Sequence, residues 1–548
     1  MVTEGFETVP GYSRRWIGLL FVGISLLVIS LDNTVLNVAL PSISNDLGSS
    51  TSELQWIVDA YVLVFAALLL TMGSIGDRVG RKKALQWGLA LFGIGSFVAA
   101  RSTSTEMLIA TRAFLGIGGA MIMPATLSII SATFPPKERP QAIALWAATF
   151  GLGIGIGPLV GGWLLEHYEW SAVFYLNLPV VTVAIIGDAW VLADSKDDHA
   201  PRPDIPGVLL SIAGLFALVY GIIEAGIDGW TGSTVLGAFA LAFVLLAAFG
   251  WWEGHAANAM LPLQFFKNMS FTGASMALMF AMFSLFGSVF FISQYLQTVL
   301  GFTALEAGIR LLPLALTMAV TSALSARLAH RFGVKAIVAV GLLIAASGLY
   351  YMGRQYEIGT SYGTIVVGIV TLATGMGLTM SPATDSIMGA VPVAKAGVGS
   401  AMNDTTRMLG GALGVAVLGT IMNDRYLEEV ETLHEALPQL PAAMFDVISD
   451  SVQAAHVVAH RMLAGVSLPI PDGLLESASR TILDTANRGF VVGMNDAMIV
   501  GSIVMALTSL FALFVLPSRV QRPAEEGASN AELALAASEH PSVVAPQN

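Results

Sequence analysis

The chain has 548 residues, of which 55% are hydrophobic and only 12% are charged, with a mean hydropathy of +0.73. A water-soluble fold of this size does not stay in solution with so apolar a composition, so the lipid bilayer is the expected solvent. The chain has no cysteine, which excludes disulfides, thiolate nucleophiles and thiolate metal sites. The net charge of −12 comes mainly from acids in a long polar loop and in the C-terminal tail, so it indicates solvated surfaces.

Apolar windows of about 20 residues, the length that a membrane-spanning helix requires, recur along the chain with short breaks. We predict fourteen spanning helices, over residues 16–40, 54–76, 84–101, 105–130, 141–165, 172–193, 205–226, 233–252, 270–297, 305–328, 334–353, 362–388, 398–422 and 490–517. With the N-terminus in the cytoplasm, 17 of the 26 lysines and arginines fall on the cytoplasmic side. Since short cytoplasmic loops carry the excess of these residues, we expect a multi-pass protein of the inner (cytoplasmic) membrane with both termini inside the cell.

The predicted helices divide into two sets of six with an inserted pair between them. Residues 1–195 would form the N-terminal bundle, 196–265 the inserted pair with its linkers, 266–517 the C-terminal bundle, and 518–548 a disordered cytoplasmic tail. A weak internal repeat supports this division, because the loops after the second and tenth helices read GSIGDRVGRKKAL and ARLAHRFGVKAIV. We therefore expect an all-α membrane protein of two pseudo-symmetric six-helix bundles plus two extra central helices.

The polar segment 423–489 separates the last two predicted helices and is too long for a simple connection. It contains apolar-periodic stretches, which predict a short helical or hairpin cap outside the membrane. A mobile surface element is the favoured interpretation of this cap, and a binding role is the alternative.

A glycine-rich motif lies between the second and third predicted helices. The segment GSIGDRVGRKK, residues 73–83, fits the pattern G-x-x-x-D-R-x-G-R-[RK], and in this it resembles the major facilitator superfamily. Its glycines permit a tight turn and close helix approach, and its charges can form a latch between the two halves. The basic residues also serve as topology determinants, and the two interpretations are compatible. The residues that we expect to take part in the conformational change are Gly73, Asp77, Arg78, Gly80, Arg81 and Lys82.

The fifth predicted helix carries a second motif of small residues, G-x-x-x-G-P-x-x-G-G. Its members are Gly153, Gly157, Pro158, Gly161 and Gly162. Small residues four apart let helix backbones pack closely, and Pro158 frees a carbonyl and kinks the helix, which predicts a hinge-like seam between the halves. Glycine seams are common in helical membrane proteins, but a match in the fifth helix resembles the antiporter branch of the superfamily.

Three further segments resemble the fourteen-helix branch of the drug:proton antiporters, and the resemblance covers essentially the whole chain. They are LDNTVLNVALP at 31–41, WIVDAY at 56–61 and RAFLGIGGAMIMPATL at 112–127. The resemblance implies that Asp32 and Arg112 belong to a proton-coupling centre and that Asp59 takes part in cation recognition. The chain departs from the family pattern at Leu115, where a glutamine is usual, and at Ser171 and Ala172, where arginine and tryptophan are usual.

The cost of charges inside the membrane points to the same residues. A charge in a spanning helix costs ~2.5–3.5 kcal/mol on insertion scales, so it requires a partner or a function. At about 1.5 Å per residue, Asp32 and Arg112 come to similar depths, as an ion pair requires. Such a pair can serve proton coupling or only structure, and both interpretations remain open. Asp404 is a further candidate for substrate binding, although mutual neutralisation with Arg407, three residues on, is the favoured interpretation.

We expect a proton-coupled antiporter that exports amphipathic or cationic compounds by alternating access. Its partners would be small-molecule substrates, protons and the lipid bilayer, without a cofactor, a metal or nucleic acid. The GxxxxGK[ST] phosphate loop is absent, so ATP is not the expected energy source. The alternatives are an exporter of one physiological metabolite, such as a lipid precursor, siderophore or antibiotic, and a membrane-embedded enzyme or receptor. An enzyme is not expected, because no catalytic cluster of residues is visible in the sequence.

Overall fold

The computed structural model describes residues 11–47, 49, 51–196, 204–256, 259, 261–463 and 472–518. Its α-helices in chain order are α1 (Arg15–Leu47), α2 (Thr51–Val79), α3 (Arg81–Ala99), α4 (Thr105–Thr133), α5 (Arg139–His167), α6 (Ala172–Tyr175), α7 (Asn177–Val191), α8 (Ile205–Asp228), α9 (Ser233–His255), α10 (Met269–Gln294), α11 (Ala304–Phe332), α12 (Val334–Gln355), α13 (Tyr362–Gly389), α14 (Ala396–Glu431), α15 (Leu433–Ala436), α16 (Ala442–Asp450), α17 (Val452–Leu463) and α18 (Asp472–Val515). By length and apolar composition, 13 helical stretches of this described chain can cross a membrane.

Every predicted spanning helix has a helical counterpart. Helices α6 and α7 together form the sixth, α14 the thirteenth and α18 the last, and α3 is the one counterpart outside the 13 apolar stretches. Helix α3 is short and begins with three basic residues, which lowers its apolar character. The predicted all-α membrane fold is confirmed. The predicted disordered tail falls, from residue 519 onward, outside the described residues, as do residues 197–203 of the linker before α8.

The two loops of the predicted internal repeat make a similar turn. Gly80 separates α2 from α3 with a φ of 120°, and Gly333 separates α11 from α12 with a φ of 88°. Positive φ values of this kind favour glycine, because a side chain would be strained there. At Gly80 a Cβ would also lie 2.5 Å from the carboxylate of Asp194. Both halves therefore reverse direction through a glycine at the equivalent point of the repeat.

Two apolar cores lie on either side of a long seam. One is buried among α1 to α7 and includes Leu26 and Phe92, and the other is buried among α10 to α14 with α16 to α18 and includes Leu342 and Met376. The seam itself is formed mainly by α5 against α11 and by α2 against α14. Each core is largely closed on its own, so the seam is the main contact between the two halves.

Helices α8 and α9 lie outside both cores and bridge the seam. Helix α8 packs against α2 of the first half and α14 of the second, through small apolar clusters that include Leu215 and Val219. Helix α9 packs against α8 and leaves Phe243 and Trp251 exposed by 76% and 65%. Large apolar side chains in a spanning helix are stable in that position when they face lipid.

The segment 423–489 differs from the sequence interpretation. Helix α14 continues past residue 422 to Glu431, and α18 begins at Asp472, well before residue 490. Between them α16 and α17 bury Ile448 and other apolar side chains against the core of the second half. Tyr426 anchors this cap by donating from Oη to the carbonyl of Ile448 at 2.7 Å. The described part of the segment is therefore a helical cap, as predicted, and it packs against the second half.

Candidate functional site

A buried ion pair lies inside the first half. Nη1 of Arg112 on α4 donates to Oδ2 of Asp32 on α1 at 2.5 Å. The two residues are almost fully buried, with exposed fractions of 0% for Arg112 and 3% for Asp32. The structure thus brings Asp32 and Arg112 into contact, as their similar predicted depths in the membrane had indicated. An ion pair so fully removed from water depends on further hydrogen bonds to satisfy its remaining donors and acceptors.

The second oxygen of Asp32 is bound by a residue from α7. Nδ2 of Asn177 donates to Oδ1 of Asp32 at 2.9 Å and lies 3.1 Å from Oγ of Ser96 on α3. Asn177 and Ser96 are buried and were not identified from the sequence. The available signal was an amide within the apolar segment FYLNLP, which periodicity alone does not connect to Asp32.

The guanidinium of Arg112 has contacts beyond Asp32. Its Nε donates to the backbone carbonyl of Ile57 on α2 at 3.0 Å, and its Cζ lies 4.5 Å from the ring centroid of Tyr61. Nη2 of Arg112 is buried without a hydrogen-bond partner. We call Asp32, Arg112 and Asn177 the charge centre. Helices from across the first half converge on it, so a change in its charge is felt by α1, α2, α4 and α7 together.

Asp59 lies on α2 where this helix faces α8, beside the seam and outside the charge centre. The charge of Glu224 on α8 acts on Asp59, and both side chains are half-buried. The rings of Trp56 and Tyr220 stand beside them with centroids 6.3 Å apart. Two acids beside aromatic rings form an environment that favours a cation.

Asp404 and Arg407 lie on α14 where it meets the first half. No ion pair of 4.0 Å or less joins them in the described structure, but each charge acts on the other through space, as mutual neutralisation requires. Oδ1 of Asp404 accepts from Nδ2 of Asn403 at 3.0 Å, and its Oδ2 has no partner. Cζ of Arg407 lies 4.3 Å and 5.4 Å from the ring centroids of Phe150 and Trp146 on α5, and both terminal nitrogens are unpartnered. This acid and this base therefore retain hydrogen-bonding capacity at the seam.

The predicted latch joins the two halves at the connection between α2 and α3. Asp77 accepts from the backbone N–H of Gly397 at 2.8 Å and 3.0 Å and from that of Val398 at 3.3 Å, at the start of α14. Nε of Arg81 donates to the same carboxylate at 2.9 Å, and its Nη2 donates to the carbonyl of Val393 at 2.6 Å. A helix N-terminus presents free N–H groups and a positive dipole, so an aspartate is well placed there.

The remaining motif residues shape and position the latch. A Cβ at Gly73 would overlap the carbonyl oxygen of Gly397, so close helix contact requires glycine at this point. Nζ of Lys82 donates to the carbonyls of Ala189 and Leu192 at 2.9 Å and 2.7 Å, which ties α3 to the end of α7. Arg78 is half-buried at the end of α2. We call the membrane face with these contacts the latch side; in the structure the two halves are joined there.

The small residues of α5 face two different helices. Gly153 and Gly157 pack against the side chains of Ser30 and Thr34 on α1, where an added Cβ would overlap, and Gly161 packs against Val35. At Gly162 a Cβ would lie 3.0 Å from Cα of Leu305 on α11. Pro158 lies inside α5, and its carbonyl carbon is 3.0 Å from the position of a Cβ at Gly308 on α11. The motif thus lets α5 approach its own half and the opposite half at once.

Two helical cores that meet along a seam, and a buried charge centre inside the first, are the architecture of a polytopic membrane transporter. The chain belongs to the Major Facilitator Superfamily, because the family model matches residues 22–415. The resemblance stated from the motifs is confirmed.

Curated relatives match over nearly their whole length. The chain is 35% identical to the "Multidrug efflux pump LfrA" of Mycolicibacterium smegmatis, covering 89% of this chain and 96% of that protein. It is 31% identical to the "Tetracenomycin C resistance and export protein" of Streptomyces glaucescens, covering 94% of each. It is 30% identical to the "Methyl viologen resistance protein SmvA" of Salmonella typhimurium, covering 93% of this chain and 100% of the relative.

Solved structures agree on the fold. The proton:xylose symporter XylE superposes with a TM-score of 0.57 at 13% identity, covering 92% of this chain and 96% of that one. The human organic anion transporter MFSD10 superposes with a TM-score of 0.56 at 15% identity, covering 90% and 99%.

Proposed function

We propose that the protein exports amphipathic or cationic toxic compounds across the cytoplasmic membrane in exchange for protons, by alternating access and without chemical change to the substrate. The charge centre carries this proposal. Its carboxylate is deeply buried at a cost, and its partners lie on different helices, so a proton on Asp32 would change the bonds between those helices. Relatives that are named for drug efflux and resistance support the export direction.

In the proposed mechanism Asp32 is the group that takes up and releases the transported proton. Protonation would remove one of the two charges and weaken the bonds from Arg112 and Asn177. The carbonyl of Ile57 and the ring of Tyr61 would continue to stabilise the guanidinium, and its unpartnered Nη2 is available to a new acceptor. Proton binding would thereby alter how α1 and α7 pack against α4.

The substrate would be recognised at the seam, where the halves separate. Asp59 and Glu224 beside Trp56 and Tyr220 suit an aromatic cation. Acids that face each other without a basic group between them repel, and a bound cation relieves that repulsion. Opening on the latch side, which we propose to be the cytoplasmic side, requires the bonds of Asp77 to the start of α14 to break.

The decisive experiment uses purified protein and the Asp32→Asn variant. We expect wild-type protein to release protons when substrate is added, and Asp32→Asn to bind substrate without releasing them. A purely structural ion pair predicts instead a loss of about 3–5 kcal/mol of stability and little folded protein. Normal proton release from well-folded Asp32→Asn protein would refute the assignment.

The export of a single metabolite is a second candidate, since one relative is named for tetracenomycin C export. A panel of fluorescent cations separates the drug exporter from the single-metabolite exporter. Their efflux from cells and their uptake into inverted vesicles are measured with and without a pH gradient. Transport of several unrelated cations supports the drug exporter, and transport of none of them supports the single-metabolite exporter.

A further inference from the structure

Two buried carboxylates meet at the latch-side ends of the inserted helices, far from the charge centre. Oδ1 of Asp204 caps α8 by accepting from the backbone N–H of Gly207 at 3.0 Å and also accepts from Nε1 of Trp252 on α9 at 2.8 Å. Oε2 of Glu253 accepts from the backbone N–H of Leu261 at 3.0 Å, which fixes the connection between α9 and α10. We call Asp204 and Glu253 the acid pair.

The other oxygen of each carboxylate is buried and has no hydrogen-bond partner among the described residues. These atoms are Oδ2 of Asp204 and Oε1 of Glu253, on residues that are only 7% and 4% exposed. Both oxygens face Gly207: Oε1 of Glu253 lies 2.8 Å from the position that a Cβ on Gly207 would take, and Oδ2 of Asp204 lies closer still. The two carboxylates also lie within hydrogen-bonding reach of each other.

Two ionised carboxylates are not stable in this arrangement, because like charges in a buried site repel and neither oxygen has a donor. One proton removes both problems, since it forms an O–H bond to one oxygen and a hydrogen bond to the other. A metal cation would require several more oxygen ligands than the two that are available. We propose that Asp204 and Glu253 together bind one proton, as a second proton site of this transporter.

The surrounding charges agree with a single shared proton. Lys395, on the turn before α14, is the basic group whose charge acts on Glu253. With one proton bound, the acid pair carries one negative charge and Lys395 balances it. Among the described residues, His255 and Lys267 near these helix ends are exposed, and Arg81 of the latch donates to the carbonyl of Val393 in the turn that carries Lys395.

The acid pair is connected to the latch through a short turn. Lys395 donates to the carbonyl of Ala259 in the connection after α9 at 3.3 Å, and Val393 in the same turn accepts from Arg81 of the latch. The turn therefore has the acid pair on one side and the latch on the other. The shared proton holds the inserted helices against this turn, and its release on the latch side loosens the latch, whatever substrate is exported.

The indole of Trp252 reports on the acid pair directly, because its N–H donates to Asp204. We expect its ¹⁵N–¹H signal, assigned by its loss in Trp252→Phe, to shift through a single protonation step when the pH is varied in nanodiscs. Trp146 and Trp230 donate to the hydroxyls of Thr126 and Thr420, so their signals serve as internal references that do not shift.

Two conservative variants test whether the proton is shared. Glu253→Gln and Asp204→Asn each supply an amide N–H in place of the shared proton and preserve the existing acceptors. We expect folded protein whose Trp252 signal no longer shifts with pH, while Asp32→Asn retains the shift. A signal that is constant in the wild type, that still titrates in Glu253→Gln, or that responds to Na⁺ or Ca²⁺ at constant pH would overturn the proposal.

Hydrogen exchange tests the connection to the latch, because Gly397 and Val398 exchange slowly only while their N–H groups are bonded to Asp77. At high pH the wild-type acid pair has lost its proton, so we expect these amides to exchange severalfold more slowly in Glu253→Gln than in wild type. At low pH the wild-type pair holds its proton, and the two proteins should exchange equally. Asp77→Ala, which removes both acceptor oxygens, sets the rate of the open latch. Equal rates in wild type and Glu253→Gln at every pH would refute the link between the proton and the latch.

Discussion

Substituting Gly73 by alanine should hold the latch side open. A Cβ at this position would overlap the carbonyl oxygen of Gly397 and lie 2.7 Å from Cβ of Ala401, both on α14. The overlap exists only while the halves are joined, and inserting a methyl group into a packed contact costs about 1–3 kcal/mol. The ratio of closed to open molecules should therefore fall roughly 5- to 150-fold.

A matched control is available on the same helix. At Gly76 the nearest atom to an added Cβ is Cβ of Ala84 at 3.5 Å, an ordinary contact, so Gly76→Ala should leave the latch unchanged. Alanine is favoured over glycine inside a helix by about 1 kcal/mol, so neither variant should be less folded for local reasons. Only the contact between the halves distinguishes them.

The assay is a distance measurement across the latch side. Because the chain has no cysteine, spin labels can be attached solely at Lys137→Cys, between α4 and α5, and Arg331→Cys, near the end of α11, both exposed. Pulsed electron resonance should show longer distances in Gly73→Ala than in wild type, and wild-type distances in Gly76→Ala. Identical distances in all three proteins would refute the steric reasoning.

Three further predictions follow from the site and the cap. Asp59→Asn and Glu224→Gln should each reduce the efflux of cationic dyes more than that of neutral ones, since each removes half of the negative charge at the α2–α8 seam; equal losses for both kinds of dye would make these residues structural. Asn177→Ala should shift the pH dependence of substrate-induced proton release, because Asp32 loses a donor while its ion pair remains, and an unchanged profile would contradict a role in the charge centre. A cysteine at Asp450 should react with an impermeant maleimide added outside intact cells, and reaction only in inverted vesicles would reverse the proposed orientation.

The sequence by itself determined the order and the approximate positions of the spanning helices. A bilayer requires about 20 consecutive apolar residues for each crossing. Each such stretch can be recognised from its own local sequence, without knowledge of the other helices. The same windows end α14 too early and begin α18 too late. A helix that continues from the bilayer into water remains helical, but its sequence there is no longer apolar. Hydropathy measures solvent preference, so it marks where a helix leaves the bilayer and not where it ends.

The sequence also identified Asp32 and Arg112, because an unshielded charge at membrane depth is costly and few such charges occur in the first half. Their partner Asn177 is neutral and carries no comparable cost, so only the packing of α7 against α1 brought it to the site. The acid pair could not be predicted for the same reason. Asp204 precedes α8 and Glu253 lies near the end of α9, so the two meet only because α8 packs against α9. Local pattern fixes which residues enter the membrane, whereas contacts between residues distant in sequence depend on the angles and depths at which complete helices pack.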